Sequence, residues 1–214
     1  MVPPCMRGFF VSDSSQEYLE MSFKETIFLV VFVLAAAPAL CEPRTYELDT
    51  QHTYASFEAP HIQAISYWRG KFNRTESGTV TLDPTAHTGA IDVVIDTSSV
   101  DLGHPTLTAE VRGPQFLDSA KYPTATFHAD KVMFKGDKPV EAIGKLTLHG
   151  VTKPLTLKIK SFKCIKDPFM KDAERCGADV SGVIDRSAFG VGAFAQMTGG
   201  EVRLQIQVEG VRRL

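Results

Sequence analysis

Regular alternation of apolar and polar residues is the feature of this sequence that most restricts its fold. Between residues 201 and 209, every second side chain is apolar and each intervening one is charged or carries an amide. The same two-residue period occurs in residues 89–96 and 154–160. Such alternation predicts β-strands with one buried and one exposed face. Further strands are expected at residues 55–59, 64–72, 79–82, 125–129, 131–134, 144–148 and 179–184.

Turn-forming residues separate these strands, and only residues 105–112 and 187–194 have a helical pattern. The apolar faces of so many strands must meet, either inside a closed antiparallel barrel or between the two sheets of a sandwich. The alternation is compatible with both. With 43% hydrophobic and 22% charged residues, the composition is that of a globular protein. One all-β domain over residues 42–214 is therefore expected.

Residues 1–41 have the pattern of a leader. Residues 27–34 are an unbroken apolar run that follows Lys24 and precedes small residues up to Ala39. The run is shorter than the roughly 20 residues that span a bilayer, so no stable membrane span is expected. We predict a secretory signal cleaved near Ala39 or Cys41, and hence a periplasmic or secreted protein. Met21 is the better start for such a signal, which makes residues 1–20 a candidate for a wrongly assigned start.

Cys164 and Cys176 flank a polar, turn-rich stretch. In an oxidising compartment this spacing favours a disulfide that closes a loop between two strands, with two free thiols as the alternative. No C-x-x-C pair and no nearby histidine support a metal or redox pair there. The six histidines also lack metal-ligand spacing, so no metal site is predicted.

Charge and motifs exclude several classes of function. A net charge of −2 provides no positive field for a nucleic-acid backbone, so no nucleic-acid partner is expected. The sequence has no nucleophile elbow, phosphate-binding loop or dinucleotide fingerprint. Catalysis therefore has little support, and we predict that the protein is not an enzyme.

Four segments, in order along the chain, resemble the YceI-like family. Residues 144–157 are similar to its signature hairpin, residues 49–61 to its opening strand, residues 112–127 to its central segment, and residues 185–190 to its late Arg-x-x-Phe-Gly turn. Pro60 departs from the family pattern because it interrupts the expected opening strand. The resemblance extends from residue 45 to about the C-terminus.

This resemblance implies an extended, lipocalin-like antiparallel barrel of about eight strands with one or two short helices. It also implies an elongated cavity for a polyisoprenoid or similar long-chain amphiphile, such as an isoprenoid quinone or a prenyl phosphate. No cofactor is expected beyond such a bound lipid or quinone. Paired barrels in a homodimer are also compatible with the family.

The apolar faces of the predicted strands supply candidate lining residues for this cavity. The alternative is that the same side chains fill a solid core, as in many small barrels. His61 is placed near the cavity mouth. The candidate lining residues are Phe57, His61, Trp68, Phe72, Val93, Phe127, Phe134, Leu146, Leu157, Ile184 and Phe189.

Arg112 and Arg186 are the candidates for binding a polar head group, because a guanidinium matches the geometry of a phosphate. For Arg186 the alternative is an ion pair with Asp185, Asp179 or Glu201. An enzyme that acts on a lipid, with His61 or His149 as the base, is the second hypothesis, and a structural barrel with a filled core is the third.

Overall fold

A computed structural model describes residues 42–213. The predicted leader, signal and cleavage sites lie outside these residues. The described part contains eleven strands in one antiparallel sheet and two α-helices. The strands are β1 (Arg44–Leu48), β2 (Tyr54–His61), β3 (Ser66–Phe72), β4 (Thr75–Asp83), β5 (Thr88–Asp96), β6 (Val100–Asp101), β7 (Thr124–Lys135), β8 (Lys138–Leu148), β9 (Val151–Lys166), β10 (Ala173–Asp185) and β11 (Glu201–Arg213), and the helices are α1 (Pro105–Arg112) and α2 (Ala195–Thr198).

Eight of the strands form a closed barrel. Each pairs with the next in the order β1-β4-β5-β7-β8-β9-β10-β11, and β11 pairs again with β1. The closing register places Glu47 opposite Val211 and Leu48 opposite Gly210. The predicted barrel is confirmed, and the sandwich alternative is wrong.

The remaining three strands extend from the barrel wall. The first half of β11 pairs with β2, which pairs with β3, and β3 pairs with the two-residue β6. Pro60 does not end β2, because the strand continues to His61 with Pro60 opposite Tyr67 on β3. The expected opening strand therefore exists, but it lies beside the barrel ring.

The two ends of the barrel differ in their packing. We call the end where β10 finishes and β11 begins the upper end, and the opposite end the lower end. A set of buried apolar residues, the packed cluster, occupies the upper end together with partly buried residues of β2, β3 and α1. Its members are Val100, Leu117, Ala125, Leu148 and Phe189. They exclude solvent from this end because their side chains are almost fully buried.

The disulfide lies near the lower end. Cys164 on β9 and Cys176 on β10 occupy facing positions and are bonded to each other. The predicted disulfide is thus confirmed. It joins two paired strands next to the loop that connects them.

Helix α1 has the predicted bounds. His104 precedes it as N-cap, with Nδ1 accepting a hydrogen bond from the amide of Leu107, and Pro105 occupies its first turn. The helix predicted at residues 187–194 is replaced by a 3₁₀ turn at Arg186–Phe189, followed by α2. Gly190 ends that turn in the left-handed conformation, with φ of 81°. Within residues 42–213, neither helix is both long and apolar enough to cross a membrane.

Candidate functional site

The barrel encloses a cavity of about 210 Å³. This volume exceeds the roughly 150 Å³ of an apolar cavity known to accept benzene, although it is below that of most drug-sized ligand sites. The wall consists of inward-facing residues from every strand of the barrel and from β2 and β3. These residues include Tyr46, Leu48, Thr53, Ala55, Phe72, Val80, Leu82, Ile91, Val93, Ile95, Phe127, Val132, Leu146, Leu157, Phe162, Ala178, Val180, Ile184, Leu204, Ile206 and Val208.

The cavity is elongated along the barrel. On β10 its wall extends from Cys176 near the lower end to Ile184 near the upper end. With a rise of about 3.3 Å per residue and the usual tilt of barrel strands, this corresponds to about 20 Å along the barrel axis. A space of this length and small volume has the shape of a single extended chain.

Almost all of the wall is apolar. No Asp, Glu, His, Lys or Arg side chain in residues 42–213 lines the cavity. The hydroxyl of Tyr46 donates to Glu174, and that of Thr53 donates to the carbonyl of Glu209, so both already have protein partners. Burial of each CH₂ group in such surroundings is favourable by roughly 0.8 kcal/mol.

The structure brings six of the eleven predicted lining residues together on this wall. They belong to five barrel strands and to β3. The six are Phe72, Val93, Phe127, Leu146, Leu157 and Ile184.

Three other predicted residues lie at the ends of the barrel. Phe57 packs on the packed cluster, with its ring 5.8 Å from that of Phe72, and Phe189 is itself a buried member of the cluster. Phe57 reaches this position because β2 diverges from the ring and Gly70 opposite it leaves room for the aromatic side chain. Phe134 stacks on His87 near the lower end, with the ring centroids 5.6 Å apart.

His61 and Trp68 lie outside the cavity wall. They occupy the part of β2 and β3 that extends beyond the barrel, where their rings meet edge to face at 5.9 Å. His104, which caps α1, also meets Trp68 edge to face, with the ring centroids 6.2 Å apart. His149 is also away from the cavity, with its ring 4.3 Å from that of Tyr122.

Both predicted head-group arginines have backbone partners. Arg112 donates to the carbonyl of Val100 at 2.7 Å. Arg186 donates to the carbonyls of Val191 and Gly199 and to the hydroxyl of Thr198. Burial lowers the pKa of the Arg186 guanidinium. These hydrogen bonds hold the segment between β10 and β11 in place, and no salt bridge joins Arg186 to Asp185, Asp179 or Glu201 within residues 42–213.

Sequence reasoning missed a polar cluster at the lower end of the cavity. Tyr46 is 3% exposed, and its hydroxyl lies 2.9 Å from Oε2 of Glu174, which is equally buried. Arg212 donates to the same oxygen at 3.3 Å, and Arg44 lies 3.8 Å from Oε1. Burial and the hydrogen bond to Glu174 raise the pKa of Tyr46 to about 12. We call these four residues the lower polar cluster.

A second group of charged residues lies on the outside of the barrel. Asp49, His52 and Glu209 are close enough together to resemble a set of metal ligands. However, Arg175 donates to Asp49 at 2.6 Å and to Glu209 at 3.0 Å, so its guanidinium already supplies the positive charge. The arrangement is an ion-pair network that connects β10 and β11 with the segment after β1.

Comparison with known proteins agrees with this architecture. A sequence model of the YceI-like domain matches residues 46–210. A UPF0312 protein of Vibrio vulnificus is 32% identical over 193 residues, which are 89% of this chain and 99% of that protein. The crystal structure of a YCEI protein from Campylobacter jejuni is similar with a TM-score of 0.59 and 26% identity, over 72% of this chain and 90% of the other.

The same fold occurs in a polyisoprenoid binding domain from Saccharophagus degradans. That structure has a TM-score of 0.55 and 17% identity, and the match covers 77% of this chain and 97% of the other.

Proposed function

This chain belongs to the YceI-like family, and we propose that it is a non-catalytic binding protein that holds a polyisoprenoid or similar long-chain amphiphile inside its barrel. An isoprenoid quinone and a prenyl phosphate are the ligands we consider first. Transport or storage of such a lipid through an aqueous compartment requires its tail to be shielded from water.

The single observation that carries the proposal is the long apolar cavity within the barrel. The cavity walls contain almost no polar atoms, so they offer few hydrogen bonds to a hydrophilic ligand. A hydrocarbon chain, in contrast, is stabilised by burial along its whole length. The neighbour from Saccharophagus degradans is described as a polyisoprenoid binding domain, which supports the same class of ligand.

The cavity also favours binding over catalysis and over a purely structural role. A lipid-modifying enzyme needs a base or nucleophile beside its substrate, whereas His61 and His149 both lie away from the wall. A solid barrel would fill this space with its own side chains.

We propose a periplasmic or secreted location. The disulfide between Cys164 and Cys176 supports it, because such bonds persist mainly in oxidising compartments. The signal predicted within residues 1–41 adds to this support.

The test is extraction of lipid from protein purified out of its own host, combined with native mass spectrometry. We expect a copurifying apolar molecule with a mass that fits an isoprenoid or another long-chain amphiphile. Protein that is recovered ligand-free, and that also fails to take up geranylgeraniol or hexadecanol when these are added, would contradict the proposal.

A pair of variants on β10 provides the control. Ala178 lines the cavity, and Ala178→Trp should fill part of it and abolish lipid retention while the barrel stays folded. Val183 is 56% exposed on the outer face of the same strand, so Val183→Trp should retain the lipid. Equal retention by both variants would show that the lipid binds elsewhere.

A further inference from the structure

The strand register places the lower polar cluster directly beneath the cavity. On β11, Leu204, Ile206, Val208 and Gly210 line the wall, and Arg212 is the next residue of the same face. On β10, Glu174 precedes Cys176 and Ala178 with the same spacing, and it faces Arg212 in register. The inner surface of the barrel therefore changes from apolar to charged at this level.

Arg212 has an unused donor within this cluster. Its Nε is buried and has no hydrogen-bond partner among residues 42–213. Its guanidinium lies 5.9 Å from the ring centre of Tyr46, which belongs to the cavity wall. A buried N–H without an acceptor is unfavourable, so this position suits a ligand oxygen that accepts a hydrogen bond.

Arg212 favours an anionic acceptor, because a guanidinium N–H binds a carboxylate or phosphate oxygen more strongly than a neutral one, and its Nε is unused. Its partner in the cluster, Glu174, also accepts a hydrogen bond from Tyr46. The raised pKa of Tyr46 keeps its hydroxyl neutral at physiological pH. About a quarter of the Arg212 side chain reaches solvent, which lets a charged group remain partly hydrated.

The opposite end of the cavity is unsuited to a charged group. The packed cluster closes it with apolar side chains, and Arg186 there is engaged by backbone carbonyls and a threonine hydroxyl. An amphiphile in the tube gains most when its tail points towards the packed cluster and its head group towards Arg212.

We propose that the lower polar cluster is an anion-binding site, in which Arg212 binds the phosphate or carboxylate head group of an amphiphile whose tail occupies the cavity. This inference rests on the proposed lipid-binding function and specifies the chemical class of the head group and the orientation of the ligand. A prenyl phosphate and a fatty acid share the required chemistry.

The test compares ligands that have the same chain but different head groups. Displacement of an apolar fluorophore is measured with geranylgeranyl phosphate against geranylgeraniol, and with palmitate against hexadecanol. We expect the wild-type protein to prefer the anionic member by about tenfold or more in at least one pair. Which pair shows the preference distinguishes a phosphate from a carboxylate head group.

Variants then locate the head group. Arg212→Gln should lose most of the preference while keeping its affinity for the alcohols, and Arg212→Lys should retain part of it. Arg203 is on the same strand, half exposed and paired with Glu201, so Arg203→Gln should keep the wild-type ratio. Circular dichroism checks that each variant is folded. If Arg212→Gln is not, the salt dependence of the wild-type preference decides, since an anion site must weaken as salt screens it.

Three other outcomes would contradict either the anion site or the proposed function. Equal wild-type affinity for phosphate and alcohol would overturn the anion site and leave lipid binding intact. Loss of the preference in Arg186→Gln but not in Arg212→Gln would place the head group at the upper end and overturn it too. Failure of all four ligands to bind would instead contradict the proposed function.

Discussion

The guanidinium of Arg175 on β10 lies 2.6 Å from a carboxylate oxygen of Asp49, which follows β1. The same guanidinium donates to Asp167 and Glu209, and its side chain is mostly buried. We expect Arg175→Gln to destabilise the fold by about 2–4 kcal/mol, because it leaves the buried carboxylate of Asp167 without its counter-charge and removes one partner each from Asp49 and Glu209. Urea unfolding measures this change.

A matched surface pair provides the control for that measurement. Arg69 contacts Glu58 at 2.8 Å, but its side chain is 72% exposed. Arg69→Gln should therefore change the unfolding free energy by less than about 1 kcal/mol. A similar small effect at Arg175 would show that its network contributes little to stability.

The stability of the fold should depend on pH through Asp49. Burial raises the pKa of this carboxyl, but hydrogen bonds from Arg175 and His52 outweigh that effect and hold the pKa at about 2. The contribution is present above the unfolded pKa of about 3.9 and is lost as the pH falls towards 2. Asp49→Asn should thus be less stable than wild type at neutral pH, and the difference should shrink between about pH 4 and 2. A difference independent of pH would contradict this assignment.

Phenylalanine truncations should distinguish the packed cluster from the cavity wall. Phe189 is 3% exposed within the packed cluster, and Phe189→Ala should cost about 3–5 kcal/mol. Phe127 is also buried, but part of its surface borders the cavity, where lining atoms lack packing partners, so Phe127→Ala should cost less in lipid-free protein. Adding a bound lipid should increase the cost at Phe127 but not at Phe189. Unfolding of delipidated and lipid-loaded samples tests both statements.

Loss of the disulfide should destabilise the protein. Cys164 and Cys176 are separated by 12 positions, and closing a loop of this size is worth about 3 kcal/mol in the chain-entropy model. The double replacement Cys164→Ser with Cys176→Ser should lower the unfolding free energy by about this amount. Adding a reductant to the double variant should have no further effect, whereas reductant should destabilise the wild-type protein.

The sequence predicts the barrel architecture more accurately than it predicts where individual strands end. Alternation in residues 89–96 and 201–209 is sufficient to identify half-buried strands. The first range lies in β5 and the second in β11. The alternation of apolar and polar residues in 154–160 does not continue to the end of β9, because the strand contains a bulge at this point. Ser161 pairs with Asp179, but Ile159 pairs with the next residue, Val180. Beyond the bulge the inward positions shift, and Phe162 instead of Ser161 lines the cavity.

Alternation of apolar and polar residues also predicts part of the candidate site. Leu146, Leu157 and Val93 belong to alternating segments, so the sequence indicates their inward orientation. The lower polar cluster could not be predicted in this way, because in the sequence Glu174 and Arg212 are indistinguishable from surface charges. Only the pairing of β10 with β11 places them opposite each other. The alternation of Arg44, Tyr46 and Leu48 in the short β1 is the sequence signal that could have indicated this cluster.

The placement of β11 has a consequence for biosynthesis. This last strand pairs with β10 along one edge and with both β2 and β1 along the other. Until β11 has been synthesised, β10 is paired only along its edge with β9 and β1 only along its edge with β4, so the backbone groups on their other edges have no strand partner. The barrel therefore cannot enclose a ligand before β11 has been made and has paired with both of these edges.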